Sequence, residues 1–374
     1  MTTTAPRIRL QSIHIENFRG IDQLDLPFPE PVMADDPDIL VLGSANGGGK
    51  TSVLEACALA VSGLLLGDKG ASVFEHLLKR NTSLLDYLLR SGADSAKVTT
   101  YITINQTNVE RSVELFRSGG MKVLEPEQHE PVRRLRRMMM RQWDQLSDER
   151  WLALWLGSDP DPLLVAPLLF FHGYRKVSEG NPELSMLADQ AFHVRNKRRR
   201  YGSAPGWPMD GAGLFKFEAL RCLMGKSGLF ETGPEDSERV LDVLNRLMAT
   251  YAGGRLEKLR PADDGSMELR VTPIDRKRPS YTFDALSSGQ KEIISTLFLI
   301  WLHTNEQPGI VLLDEPELHF NVEWHTAFLR SLHELCPQNQ YIIATHSRTI
   351  FGSVPPRYRV LLEPSLPGSV EPSV

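Results

Sequence analysis

Ile39-Leu40-Val41-Leu42-Gly43-Ser44-Ala45-Asn46-Gly47-Gly48-Gly49-Lys50-Thr51-Ser52 is the stretch on which the reading of this chain turns. Its apolar start predicts a buried strand, its glycines a tight loop, and the apolar run from Val53 to Ala60 a helix. Such a loop lets successive backbone N–H groups point at one anion, and the helix that follows adds its positive end. Lys50 brings a full positive charge, Thr51 a hydroxyl for a phosphate-bound Mg²⁺, and Ser52 is placed to cap the helix. Aligned on Gly49-Lys50-Thr51, the pattern G-x-x-x-x-G-K-[ST] has Ser44 where its first glycine belongs and Gly43 one residue early. Either the loop is one residue longer or Ser44 replaces that glycine. Ser44, Asn46, Gly47, Gly48, Gly49, Lys50, Thr51 and Ser52 make up the expected ATP-binding set.

A second segment completes such a site. Gly309-Ile310-Val311-Leu312-Leu313 is an apolar run suited to a strand buried on both faces of a parallel sheet, and it delivers Asp314 and Glu315 at its end. Asp314 is placed to hold Mg²⁺ with Thr51, and Glu315 to orient and deprotonate an attacking water. Tyr341-Ile342-Ile343-Ala344 is a further strand ending in Thr345-His346-Ser347, which puts His346 at the same sheet edge as a γ-phosphate sensor.

Ala285-Leu286-Ser287-Ser288-Gly289-Gln290-Lys291-Glu292 precedes an apolar stretch from Ile293 to Leu302 and reads physically as a helix cap with anion-binding capacity. It also resembles the ABC signature LSGGQ, with Ser288 in place of the first glycine. The resemblance implies that Ser287, Ser288, Gly289 and Gln290 reach the γ-phosphate held by a partner subunit, so the working unit is a homodimer or higher oligomer. The long stretch between Lys50 and Ser287 does not resemble a transporter subunit. The opening Ile8-Arg9-Leu10-Gln11-Ser12-Ile13-His14-Ile15-Glu16-Asn17-Phe18-Arg19-Gly20 is similar to the first strand of RecF-like, SMC-like and OLD-family ATPases, which places Asn17 and Arg19 near the nucleotide. Glu315-Pro316-Glu317-Leu318-His319-Phe320 resembles the "DEPExHLHP" run of OLD-like AAA ATPases, from which Asn321 departs.

The fold these resemblances imply is α/β: a P-loop NTPase of ABC-ATPase type, with a mixed sheet core, an antiparallel β edge and an inserted, mainly helical subdomain. The expected division is an N-terminal part of the core with a β-subdomain over 1–125, an inserted helical or regulatory region over 126–265, and the C-terminal part of the core over 266–374. Residues 98–104 and 109–116 alternate as strands around a turn at Gln106-Thr107-Asn108, and Leu24-Asp25-Leu26 reads as the return strand of an edge hairpin. Residues 130–156 have near-helical spacing without a lasting heptad, helical patterns run over 214–224 and 237–251, and Gly202 to Pro208 reads as a loop. Where ABC proteins have a glutamine loop, this chain has Phe170-Phe171-His172-Gly173-Tyr174, which makes His172 and Tyr174 the candidate substitutes.

With 42 basic against 47 acidic residues the chain is mildly acidic, which argues against a strong nonspecific nucleic-acid binder. Two local arginine groups stand against that average: Arg133, Arg134, Arg136, Arg137 and Arg141, then Arg195 with Lys197, Arg198, Arg199 and Arg200. Phosphates, a partner protein and solvent are all open readings for them. No apolar run is long enough for a membrane span and no signal peptide is recognisable, so a cytoplasmic location is expected. The spacing of Cys57, Cys222 and Cys336 suggests neither disulfides nor zinc.

The expected cofactors are ATP and Mg²⁺. The expected function is a hydrolytic switch for a separate effector, a nuclease or toxin, by resemblance to the ATPases of anti-phage systems such as Septu and PARIS. With residues 347–374 after His346, no TOPRIM nuclease domain like that of OLD proteins is expected. A RecF-like DNA-repair clamp and an assembly scaffold with little turnover are the alternatives.

Overall fold

The computed structural model describes residues 7–33, 35–44, 47–80, 82–124, 130–143, 148–159, 161–173, 215–216, 218–220, 234–261, 267–275 and 277–363. In chain order the first elements are β1 (Ile8–Phe18), β2 (Ile21–Pro27), β3 (Asp38–Ser44), α1 (Lys50–Arg80), α2 (Thr82–Leu88), β4 (Ser95–Ile104), β5 (Thr107–Phe116) and β6 (Met121–Leu124). Next come α3 (Glu130–Trp143), α4 (Asp148–Trp155), β7 (Leu163–Val165), β8 (Leu168–Phe171), α5 (Pro234–Ala252), β9 (Gly254–Pro261), β10 (Met267–Pro273) and β11 (Tyr281–Thr282). The chain then forms α6 (Ser288–Thr304), β12 (Ile310–Asp314), α7 (Trp324–Leu335), β13 (Gln340–Thr345), α8 (Arg348–Ser353) and β14 (Arg359–Leu362).

The residues fall into two compact units. One comprises 1–173, 303–318 and 322–374, and the other 174–302 and 319–321. This grouping joins 126–173 to the first unit and 266–302 to the second, whereas the sequence reading draws its boundaries at 125 and 265.

In the first unit a six-stranded sheet has the order β14-β3-β13-β12-β8-β7. Its strands are parallel except at the β7–β8 edge, and every residue of β12 and β13 is buried, as their unbroken apolar runs require. A five-stranded antiparallel sheet, β2-β1-β4-β5-β6, lies beside it and contains both the expected edge hairpin and the alternating strands. The turn between β4 and β5 is not at residues 106–108. Asn105 and Gln106 take it with φ of 47° and 73°, and Thr107 already pairs with Ile104. Asparagine tolerates this left-handed backbone better than most residues, which lets a tight two-residue loop win over a longer one.

Helix α1 touches strands of both sheets, so Val53, Leu54, Ala56, Cys57, Leu59 and Val61 are buried all round the helix rather than along one stripe. Truncating Leu54 or Leu59 to alanine there costs about 2–5 kcal/mol. Two polar staples also join the sheets. Arg9 Nε donates to Asp38 Oδ2 at 2.8 Å, and Gln340 holds both backbone groups of Leu10, accepting from its N–H at 2.8 Å and donating to its carbonyl at 2.9 Å. The β1–β4 ladder shifts register between Leu10 and Ser12, and the Gln340 amide takes the place of a strand partner there.

In the second unit α5 packs on β9, within the three-stranded antiparallel sheet β11-β10-β9. Phe215 stacks on Phe283 and meets Phe298 edge-on, with centroids 4.9 and 5.4 Å apart. Lys216, fully buried, binds both carboxylate oxygens of Asp284 at 2.6 and 2.7 Å. The Gly202–Pro208 loop and most of the 214–224 helix lie outside the described residues.

Candidate nucleotide site

Parallel pairing sets the C-terminal ends of three strands in line: Gly43 lies opposite Thr345, and Ala344 opposite Asp314. That edge is where ligands bind in open α/β sheets. The glycine loop leaves β3 there, with Gly47 and Gly49 both at φ of 81°, a conformation that needs glycine. Val53 donates its N–H to the Gly49 carbonyl at 3.0 Å, which makes Gly49 the last residue before the helix. Ser52 is therefore not the cap. It is buried within the first helical turn.

Ser44 ends β3, and its hydroxyl accepts from Lys50 Nζ at 2.9 Å. Gly43 has a packing role, since a β-carbon on it would lie 2.7 Å from the Phe351 ring. Asn46 lies outside the described residues. Thr51 Oγ1 donates to Asp314 Oδ2 at 2.9 Å, so the glycine loop and the acidic end of β12 meet. A hydroxyl and a carboxylate converging there form a hard-oxygen pair suited to Mg²⁺.

Glu315 stands at φ of 43°, strained for a side-chain-bearing residue, and its N–H donates to the Ala344 carbonyl at 2.8 Å. Strain of this kind concentrates at functional sites. His346 Nε2 lies 2.9 Å from Lys50 Nζ and 3.2 Å from Glu315 Oε1. One ring nitrogen cannot serve both partners at once: it accepts from the ammonium when bare and donates to the carboxylate when protonated. Lys50 is buried, which draws its ammonium below the ordinary lysine range, while Glu315, Asp314 and Glu317 pull the other way. Burial thus leaves the Lys50 charge poorly solvated and ready for an anion.

Arg19 does not stand open at this edge. Its guanidinium bonds Glu55 and the Tyr87 hydroxyl and lies 4.1 Å over the Tyr87 ring. Glu55 is one helical turn beyond Thr51 and almost fully buried. That burial pushes its carboxyl up to about 7, more than Arg19 lowers it, and the charge of Asp314 adds to the rise. Asn17, at φ of 52°, accepts from the N–H of Arg90 at 2.9 Å with its backbone carbonyl.

In the second unit Ser287 and Gln290 form a reciprocal capping box. Ser287 Oγ accepts from the Gln290 N–H at 3.3 Å, and Gln290 Oε1 accepts from the Ser287 N–H at 3.0 Å. Gln290 Nε2 also donates to the Tyr251 carbonyl at 3.0 Å, so this side chain is held inward. Ser287 and Ser288 are exposed, whereas Gly289 is buried and a β-carbon on it would come within 2.1 Å of the His319 carbonyl oxygen.

His172 is buried, its ring 3.8 Å from that of Phe170 and against Gly157, so it is packed rather than offered to a ligand. Tyr174 lies outside the described residues, as do Arg195 to Arg200, including Arg198, Arg199 and Arg200. On α3, Val132 and Leu135 are buried while Arg133 and Arg137 are exposed and Arg134 and Arg136 half-buried. Arg137 donates to Glu130 at 3.0 Å. These arginines form the polar face of an amphipathic helix.

Residues 140–351 match the family described as "AAA domain, putative AbiEii toxin, Type IV TA system", and residues 12–159 match a second AAA-domain family. The chain belongs to the first of these AAA families. Its sequence is similar to the "Retron Ec83 probable ATPase" of Escherichia coli, 24% identical over 161 residues. Those residues are 36% of this chain and 30% of the relative, so the likeness spans under a third of that protein. The fold of this AAA protein is that of the SMC head. One such head, solved bound to the C-winged helix domain of ScpA, superposes with a TM-score of 0.52 at 14% identity, covering 92% of this chain and 91% of that one. Another, with an extended coiled coil and bound to the C-terminal domain of ScpA derived from Pyrococcus furiosus, gives 0.51 at 13%, covering 93% and 92%. Among the described residues of this AAA protein no helix is long and apolar enough to cross a membrane.

Two residues that matter to the geometry carried no role in the sequence reading. Glu317 figures in the sequence only within the DEPExHLHP-like run, which gives it no task, and Glu55 sits in an apolar helix where its lone charge is the available signal.

Proposed function

We propose that this protein binds and hydrolyses ATP, closes as a homodimer around two nucleotides, and acts as a switch for a separate effector in anti-phage defence. The observation that carries the reading is the meeting of Lys50, Thr51, Asp314, Glu315 and His346 at one sheet edge. Lys50 and the loop N–H groups hold the phosphates, and Thr51 and Asp314 are the residues that would hold Mg²⁺, which supplies charge neutralisation at the β- and γ-phosphates. Glu315 takes the proton of the attacking water, and His346 sits where it reports on the γ-phosphate. Ser288, exposed at the start of α6, is the signature residue offered to a partner's nucleotide. The similarity to a retron ATPase and the family's Type IV TA description support a defence setting with an effector.

Phosphate release by the full chain tests the hydrolytic part. Turnover that falls about 10²-fold or more in Glu315→Gln with ATP affinity kept is expected; equal turnover would overturn it. The purified chain with Mg²⁺ or Mn²⁺ should leave DNA and RNA uncut, and cleavage would contradict a separate effector.

A further inference from the structure

A single oxygen, Glu317 Oε1, accepts three hydrogen bonds: from Thr345 Oγ1 at 2.7 Å, the His346 N–H at 2.7 Å and the Ser347 N–H at 3.0 Å. The His346 and Ser347 N–H groups lie just past the end of β13, where no ladder partner is available, and the carboxylate collects both. Charge assistance makes such bonds about twice as strong as neutral ones. The same turn is tightened from within, because Ser347 N–H also donates to Thr345 Oγ1 at 2.9 Å. On its far side Ser347 Oγ caps α8 by accepting from the Ile350 N–H at 3.1 Å, and it lies 2.8 Å from His325 Nδ1. His346 is thus the one side chain of the turn left to point at the site, pinned between a carboxylate clamp and a capped helix, with Lys50 and Glu315 in reach of its Nε2.

We propose that Glu317 is a positioning residue: by gripping the backbone of Thr345 to Ser347 it fixes where the His346 imidazole stands relative to Lys50 and Glu315. Glu317 belongs to the same short loop as Glu315, and Leu318 N–H closes that loop by donating to the Glu315 carbonyl at 3.2 Å. The general base and the histidine are therefore held by one carboxylate-bridged unit rather than by two independent loops. A displacement of Glu315 is passed to His346 through this bridge. The inference rests on the proposed hydrolytic site, but its geometric half does not need hydrolysis.

The kinetic test uses the full chain in five forms: wild type, Glu317→Ala, Glu317→Gln, His346→Ala and the Glu317→Ala/His346→Ala double variant. Glu317→Ala should lower kcat about 10²-fold, the scale of an ångström-level misplacement, with ATP affinity within about 3-fold of wild type. Glu317→Gln keeps an acceptor oxygen for the two N–H groups and should recover most of that loss. The double variant should be no slower than His346→Ala alone, because Glu317 acts through His346; losses that multiply would show an independent structural role and overturn the proposal. Should the wild type not turn over ATP, or Glu317→Ala not fold, the imidazole and backbone NMR signals of His346 in nucleotide-free wild type and Glu317→Asp, whose acceptor is drawn back from the two N–H groups by one methylene, decide. They should shift while those of His14 on β1 stay in place, and unmoved His346 signals overturn the inference whatever becomes of hydrolysis.

Discussion

Thr51 Oγ1 and Asp314 Oδ2 stand 2.9 Å apart although 263 positions separate them in the chain. Both residues lie where a buried apolar strand has just ended or a helix begins, and the sheet β3-β13-β12 brings those ends to one edge. Around that pair the roles divide by chemistry, with one buried ammonium, a hydroxyl, two carboxylates and an imidazole.

Replacing Lys50 by alanine removes the charged donor of the site. Each charge-assisted hydrogen bond is worth about 1.5–3 kcal/mol, so ATP affinity should fall at least about 10-fold in calorimetry while the melting temperature stays near that of wild type. Unchanged affinity would mean that Lys50 does not meet the phosphates.

Ser288 is exposed and Gly289 is not, so the two signature positions separate function from packing. Ser288→Arg should leave ATP affinity and stability unchanged and abolish ATP-dependent assembly in light scattering. Assembly equal to wild type would remove the signature from the interface.

Gly289→Ala, by contrast, sets a methyl group against the His319 carbonyl oxygen, 2.1 Å from it before any adjustment. Overpacking of this kind costs about 1–3 kcal/mol, to be read as a lower urea midpoint. An unaltered midpoint would show that the His319 backbone yields freely.

Glu55 makes stability depend on pH. Its carboxyl stands at about 7 in the folded chain against an ordinary 4.5. Below about 4.5 both states hold the proton; from there to about 7 only the folded state does, so this contribution to stability is lost as pH rises through that window. It amounts to at most roughly 3 kcal/mol. Glu55→Gln cannot ionise, and urea denaturation at pH 5 and pH 7.5 should show a smaller decline in the variant than in wild type. Parallel declines would mean that Arg19 keeps Glu55 ionised throughout.

Much of this was legible in the sequence because the signals are local. The strand, glycine loop and helix around Lys50, the acidic end of Leu312-Leu313, and the helix cap at Ser287-Ser288-Gly289 all declare themselves within a dozen residues. Legibility failed where a role depends on a distant partner. Gly43 reads as a displaced loop glycine until Phe351 is seen against it, and Ser52 reads as a cap until Gly49 is seen to accept the first helical bond. Gly289 has the same history with His319. Glu317 has no sequence signature of its task, since its partners are backbone groups and a hydroxyl some thirty positions on.

The most direct test of the central claim is the solution mass of the wild type and of Glu315→Gln, each with and without ATP and Mg²⁺. A monomer-sized species is expected without nucleotide, and with ATP a dimer that persists in Glu315→Gln and decays as the wild type hydrolyses. A mass that ATP leaves unchanged in both proteins would contradict the nucleotide-gated switch.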